Sequence, residues 1–344
     1  MKKTINSTIK STKKNIKTKK VVATDTENSC TDNQKKQSSL AIIGVCKNSD
    51  KKAFNNIRND LKKLYVAENT INIIDLGNIE FDEKKIKKII ADISEQKNNT
   101  IFFCENDEIS ANILALCRTK ESNIVLVLAD ATKENKHIAK LLDKQTNELS
   151  IIAYQNYFSD KNIITQFNKN HYTTIRLSEY RNDNNSIEPI LRDSNFLSID
   201  LAAVRYSDGG TQLSPNGLYA EELCQIANYA GLSNTVSQVN IVCNNSENGV
   251  TSQLIAQTVW HFIDGFANRI VETPSKNKFK KFIVTMENSS VNLIFYKSNI
   301  TNRWWMEVSH NNKRKITACT FSDYQCACNN NIPAKWIKEM QKMS

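Results

Sequence analysis

The stretch FLSIDLAAVRYSDGGTQLSPNGLYAEELCQIANYAGLS, residues 196–233, decides how this chain reads. It opens on a short apolar run, FLSIDLAA, that carries a single carboxylate, Asp200, near its end. A loop of Gly, Ser, Pro and Asn follows, and then a helix: Pro215 and Asn216 suit its start, and Tyr219, Leu223, Ile226, Ala227 and Ala230 recur on one face. Gly231 falls where a left-handed C-cap is expected, with Leu232 as its apolar partner. Strand, loop and helix in this order, with an acid at the strand end, is how open α/β sheets present a ligand or catalytic group.

The alternation continues outward from this unit. LAIIGVC (40–46), INIIDL (71–76), TIFFC (100–104), NIVLVLA (123–129), LSIIAY (149–154), YTTIRL (172–177) and VSQVNIVC (236–243) join 196–203 as buried strands. Helically periodic segments separate most of them, at 51–65, 83–96, 108–119, 133–145, 160–168, 217–230 and 249–271. This pattern predicts a three-layer α/β/α domain around a parallel sheet of about eight strands. Beyond the eighth strand KKFIVTM (280–286) and VNLIFYK (291–297) read as a β-hairpin, packed by Trp304, Trp305 and a final helix near 334–342. The expected division is a basic tail, 1–38, and one domain, 39–344, whose last part, 280–344, is a C-terminal appendage.

The net charge of +10 is unevenly spread. Residues 1–40 hold ten Lys against Asp25, Glu27 and Asp32, leaving a surplus of only +3 for the rest. So Lys-rich and apolar-poor a tail cannot bury enough surface to offset chain entropy, and is expected to be disordered and able to contact RNA or another anionic surface. No apolar run approaches a membrane span and the N-terminus lacks the apolar core of a secretory signal, so a soluble, cytoplasmic protein is expected. Nine scattered cysteines read as reduced thiols.

Ligands of an open parallel sheet sit outside the C-terminal ends of its strands. Three acids stand there: Asp107 after TIFFC, Asp130 after NIVLVLA and Asp200 within FLSIDLAA. Asp107 and Asp130 also precede helices, so capping is the competing role for each.

The strings SIDLAAVRYSD, SPNGLYAEELCQIANYAGLS, ENGVTSQLIAQTVWHFIDGF, FYKSNITNRWWMEV and DYQCACNNNIPAKW, between 196 and 342, resemble the arginase, agmatinase and formimidoylglutamase family of ureohydrolases, and especially its bacterial formimidoylglutamase-like branch. Residues 40–180 match mainly in strand order. The resemblance implies an arginase-like fold with a binuclear Mn²⁺ site, whose bridging hydroxide attacks an amidine or guanidine carbon. It further implies ligands from a G-G-x-H turn, a D-x-H-x-D motif and an S-x-D-x-D motif.

Each motif is altered here. CENDE (104–108) lacks the glycines and sets Asp107 or a neighbour at the His position; DATKE (130–134) keeps Asp130 but has Thr132 for His and Glu134 for the last Asp; SIDLA (198–202) keeps Asp200 and has Ala202 for the second Asp. None of His137, His171, His261 and His310 falls at a matching strand end. Asp107, Asp130, Glu134 and Asp200 are therefore the remnant metal positions, an all-oxygen set suited to a hard divalent ion or to none. The expected function is a pseudoenzyme that binds or scaffolds, through a protein partner or a second copy of itself. Two alternatives stay open: an active hydrolase of a formimidoyl or guanidino C–N bond, and an RNA-associated protein using its Lys-rich tail.

Overall fold

The computed structural model describes residues 3–4, 9–11, 38–47, 52–66, 71–95, 99–142, 146–244, 249–274, 278–287, 291–311 and 313–343. Most of the basic tail lies outside these residues, and with it the expectation of a disordered, RNA-binding arm. Within the tail only two short strands, Lys3–Thr4 and Ile9–Ser11, are described.

Eight longer strands run parallel: β1 (Ser38–Cys46), β2 (Ile71–Glu80), β3 (Asn99–Cys104), β4 (Asn123–Val127), β5 (Glu148–Tyr154), β6 (Thr173–Arg176), β7 (Phe196–Asp200) and β8 (Gln238–Val242). Their order across the sheet is β2-β1-β3-β8-β7-β4-β5-β6, with Ile9–Ser11 beside β2. All eight coincide with the apolar runs read from the sequence, to within a few residues at their ends. The helices are α1 (Lys52–Lys63), α2 (Glu83–Glu95), α3 (Asp107–Cys117), α4 (Lys136–Leu141), α5 (Lys161–Lys169), α6 (Leu177–Asn182), α7 (Glu188–Arg192), α8 (Ala220–Leu232) and α9 (Gly249–Ala267).

The layers follow from alternation along each strand. Leu197 and Ile199 of β7 and Val239 and Ile241 of β8 join a core that also takes in α1, α8 and α9. Leu126, Leu149 and Ile151 face the other way, onto α4 and α5, and Ala41, Ile43 and Phe102 onto α2 and α3. Helices therefore cover both faces, which is why the strands are apolar throughout.

The end of α8 differs from its sequence reading. Gly231 lies inside the helix rather than at a left-handed cap, and Ser233, with φ of −68°, is the C-cap. What Gly231 supplies is closeness: a Cβ there would stand 2.3 Å from the Phe262 carbonyl oxygen, and one on Gly265 2.4 Å from that of Asn228. The two glycines let α8 and α9 cross backbone to backbone.

The C-terminal appendage is larger than a hairpin. Strands β9 (Phe279–Thr285), β10 (Asn292–Ser298), β11 (Trp304–His310) and β12 (Lys313–Cys319) form one antiparallel sheet in that order. The sequence reading takes Trp304 and Trp305 for packing residues alone, whereas they also open a strand, and a fourth strand follows it. The two tryptophans do pack: each is under a tenth exposed. One face of this sheet holds Phe295, Trp304 and Met306 against α10 (Phe321–Cys328) and α11 (Ala334–Met343). The other face docks on the main domain, where Arg192 stacks 4.3 Å from the Trp305 ring centroid and Asp193 accepts hydrogen bonds from Thr317 Oγ1 and the Ala318 amide. Both edge strands carry cations, Lys280 and Lys281 on β9 and Lys313, Arg314 and Lys315 on β12.

Among the described residues no helix is long and apolar enough to cross a membrane. Among the described residues no two cysteines are joined in a disulfide, and Cys30 lies outside them.

Candidate functional site

β7 delivers Asp200 to the C-terminal edge of the sheet, where the chain turns at once into a 3₁₀ turn, Leu201–Ala203. Asp200 caps that turn: its Oδ1 accepts from the Ala202 amide at 2.9 Å and from Asn244 Nδ2 at 3.4 Å. Asn244 follows β8 with φ of 45°, a conformation that Asn tolerates, and also donates to Thr211 Oγ1 at 3.2 Å. The residue at the position of the missing second acid, Ala202, thus serves through its backbone.

Asp130, just beyond the end of β4, the strand paired with β7, is tied locally as well. Its Oδ1 accepts from Asn135 Nδ2 at 3.1 Å and its Oδ2 from Thr132 Oγ1 at 3.4 Å. Asn135, not Asp130, caps α4, through the His137 and Ile138 amides. Likewise Asn106, not Asp107, is the N-cap of α3, accepting from Ile109 N at 3.0 Å; Asp107 is the first residue of that helix. Capping is therefore settled against both acids.

Electrostatics join three of the four sequence-derived residues. The Asp200 carboxyl is pushed up to about 7, first by burial and then by the charges of Asp130 and Asp107, against the lowering effect of its hydrogen bonds. Asp130 is raised too, mainly by burial and to a smaller degree by Asp107. Glu134 is exposed, and contributes to neither shift.

Beneath these acids lies a buried polar layer that the sequence reading missed. Ser198, two residues before Asp200, faces α3 and α4, and His137 Nε2 sits 3.0 Å from both Ser198 Oγ and Ser110 Oγ. Asn240 of β8 donates to the Ser110 carbonyl and accepts from Gln238 Nε2. His137 is fully buried, its Nδ1 has no hydrogen-bond partner, and burial lowers its pKa to about 4. It is a neutral structural imidazole. The available signal was the polar Ser198, Gln238 and Asn240 recurring at every second position in strands whose other residues are apolar.

These residues do not fit a binuclear manganese centre. Among the described residues no three His, Cys, Asp or Glu side chains gather closely enough to hold a metal ion. No imidazole reaches the strand ends, and the oxygens of Asp130 and Asp200 are directed to amide and hydroxyl donors. What the edge can do is bind: a recessed carboxyl with a proton near neutrality, amide side chains and backbone donors suit a polar ligand.

The strand order and layers define an arginase-like α/β fold. No family model and no curated protein matches the chain, but solved structures do. A formiminoglutamase from Trypanosoma cruzi, determined with Mn²⁺, is 17% identical with a TM-score of 0.60 over 70% of this chain and 96% of its own. A formimidoylglutamase from Bacillus subtilis is 17% identical, TM-score 0.62, over 78% of this chain and 93% of its own. An agmatine ureohydrolase of Thermoplasma volcanium is 15% identical, TM-score 0.54, over 68% and 93%. At such identities the likeness is one of fold.

Proposed function

We propose that this chain is a ureohydrolase-fold protein in which the strand-end site no longer performs dimetal hydrolysis and acts as a binding or scaffold module. The observation that carries the reading is the role of Asp200: the acid retained from an S-x-D-x-D pattern caps the Leu201–Ala203 turn through the amide of the residue that stands in for its partner. Thr132 occupies a second ligand position and donates its hydroxyl to Asp130. A cluster that must hold two cations needs more ligands than Asp107, Asp130 and Asp200 supply, and nitrogen donors besides.

A second reading is favoured by the electrostatic convergence of Asp107, Asp130 and Asp200 and by the manganese-containing formiminoglutamase of the same fold. On this reading the chain is a metal-dependent hydrolase of a formimidoyl or guanidino C–N bond. The full-length chain, stripped with chelator, incubated with MnCl₂ and dialysed, separates the two. Absence of stoichiometric manganese, with no formamide or urea released from formimidoyl-glutamate, agmatine or arginine, is the expected result. Bound manganese with turnover that Asp200→Asn abolishes overturns it.

A further inference from the structure

At the opposite edge of the sheet, where β4, β5 and β6 begin, a cavity of about 690 Å³ lies between the main domain and the appendage, within the ~300–1,000 Å³ typical of small-molecule sites. Ile175 and Ile190 on one side and Ile316 of β12 on the other give it apolar walls. Hydroxyl and amide side chains stand between them, among them Asn147, Ser150, Asn168, Thr173 and Thr174. We infer that this cavity binds a small neutral sugar, whose hydroxyls meet Ser150 and Asn168 and whose C–H faces lie on the isoleucines. The inference is independent of what happens at the Asp200 edge.

Ser150 is fully buried, and its hydroxyl has no hydrogen-bond partner. The strand sets its direction. Leu149 and Ile151 face α4 and α5, so Ser150 points to the opposite side of the sheet, level with its register partners Val125 of β4 and Thr173 of β6. On that side Thr173 Oγ1 meets Lys338 Nζ of α11, so this is the face that the appendage covers. A buried hydroxyl left unpaired costs free energy, which a hydrogen bond to a ligand offsets.

The charges of the cavity favour a neutral guest. Five carboxylates and three lysines line it, and the ions on α11 and β5 are already matched. Glu148 takes Lys338 Nζ at 2.8 Å and Lys342 Nζ, and Glu339 takes Lys315 Nζ at 2.6 Å. Asp193 accepts from Thr317 and Ala318, Asp323 accepts from Thr320, and Asp183 is exposed. With Lys335, four ammonium groups stand against the five carboxylates, so little net charge is left to select an ion. A charged guest would have to crowd or break these pairs. A sugar hydroxyl donates and accepts at once, so it can bridge an ammonium and a carboxylate that stay paired.

Saturation-transfer NMR and calorimetry on the full-length chain test the proposal with D-glucose, D-galactose, D-ribose and sucrose as probes. At least one is expected to bind, at one site per chain, with a Kd in the millimolar range or below. The charged counterparts D-glucosamine and D-glucuronate are expected to bind about threefold or more weakly than the best neutral sugar. Ser150→Ala is expected to weaken that sugar about fivefold, the worth of one hydrogen bond, while the Tm of the free chain stays level or rises because the hydroxyl removed has no partner. Asn168→Ala, at an exposed position, is expected to weaken it about threefold. If Ser150→Ala fails to fold, Asn168→Ala and the charged sugars decide. Absence of binding by all four neutral sugars, tighter binding of either charged one, or an affinity indifferent to both substitutions overturns the proposal.

Discussion

The two edges of the central sheet treat a buried carboxylate in opposite ways. At the C-terminal edge Asp200 is sunk among like charges, Asp130 and Asp107, with only amide donors to meet it. At the starting edge Glu148 is half-buried and lies between two ammonium groups. The first acid is held toward its protonated form; the second is the counterion of a cation pair. The difference teaches that burial alone does not fix the worth of a charge: its neighbours decide the sign.

Neutralising the two acids is the most direct way to break this comparison. Glu148→Gln leaves the half-buried Lys338 without its counterion and Lys342 with Glu339 alone, and is expected to cost about 2–3 kcal/mol at pH 6. The penalty should shrink toward pH 9, because both lysines have then lost their protons, as the depressed values of about 7 and 8 require. Urea denaturation at the two pH values measures it. A constant penalty would mean that the lysines stay charged and solvated.

Asp200→Asn should go the other way. In the folded chain Asp200 takes its proton near pH 7, in the unfolded chain near 4. Between these values the folded state binds more protons, so stability falls as pH rises and stays reduced above 7. Asn keeps the acceptor for Ala202 and carries no charge, so a gain of about 2–3 kcal/mol is expected at pH 8 and little change at pH 4. Loss of stability at pH 8 would instead mark Asp200 as a stabilised carboxylate.

His137 sharpens the same comparison with a smaller effect. Its folded value of about 4 lies below its unfolded one, so its contribution is fully present above about pH 6.5 and is lost as pH falls toward 4. Asp200 shifts stability in the opposite sense over much of that window, and the two slopes largely cancel in the wild type. His137→Gln should therefore expose a net rise in stability of about 2 kcal/mol from pH 6.5 to 4.5, read by thermal melts. An unchanged slope would show that the imidazole is not buried neutral.

How much of this was legible in the sequence depends on how local the signal was. The eight strands were, because each is a short β-branched run bounded by polar segments, and burial on both faces leaves no ambiguity of period. β11 and β12 were not: KRKITAC mixes cations with apolar residues as an edge strand does, and WWMEVSH gives weak alternation. Asp107, Asp130 and Asp200 were legible as strand-end acids. Their roles were not, since the Asn135, Asn106 and Asn244 side chains that cap helices or bind the acids are set by loop geometry. Glu134 was placed by spacing alone, and a loop residue's direction does not follow from spacing. The ion cluster around Glu148 joins residues 190 or more positions apart, a separation that no pattern along the chain encodes.

The appended sheet ends in β9 on one side and β12 on the other, and the Ala318 amide and Cys319 carbonyl of β12 are already taken by Asp193 and Arg192 of the main domain. Two copies of this chain meeting edge to edge would bring Lys280 and Lys281, or Lys313, Arg314 and Lys315, against their own counterparts. Self-extension into a fibre-like stack is thereby opposed by repulsion, and an acidic extended segment would face the reverse situation.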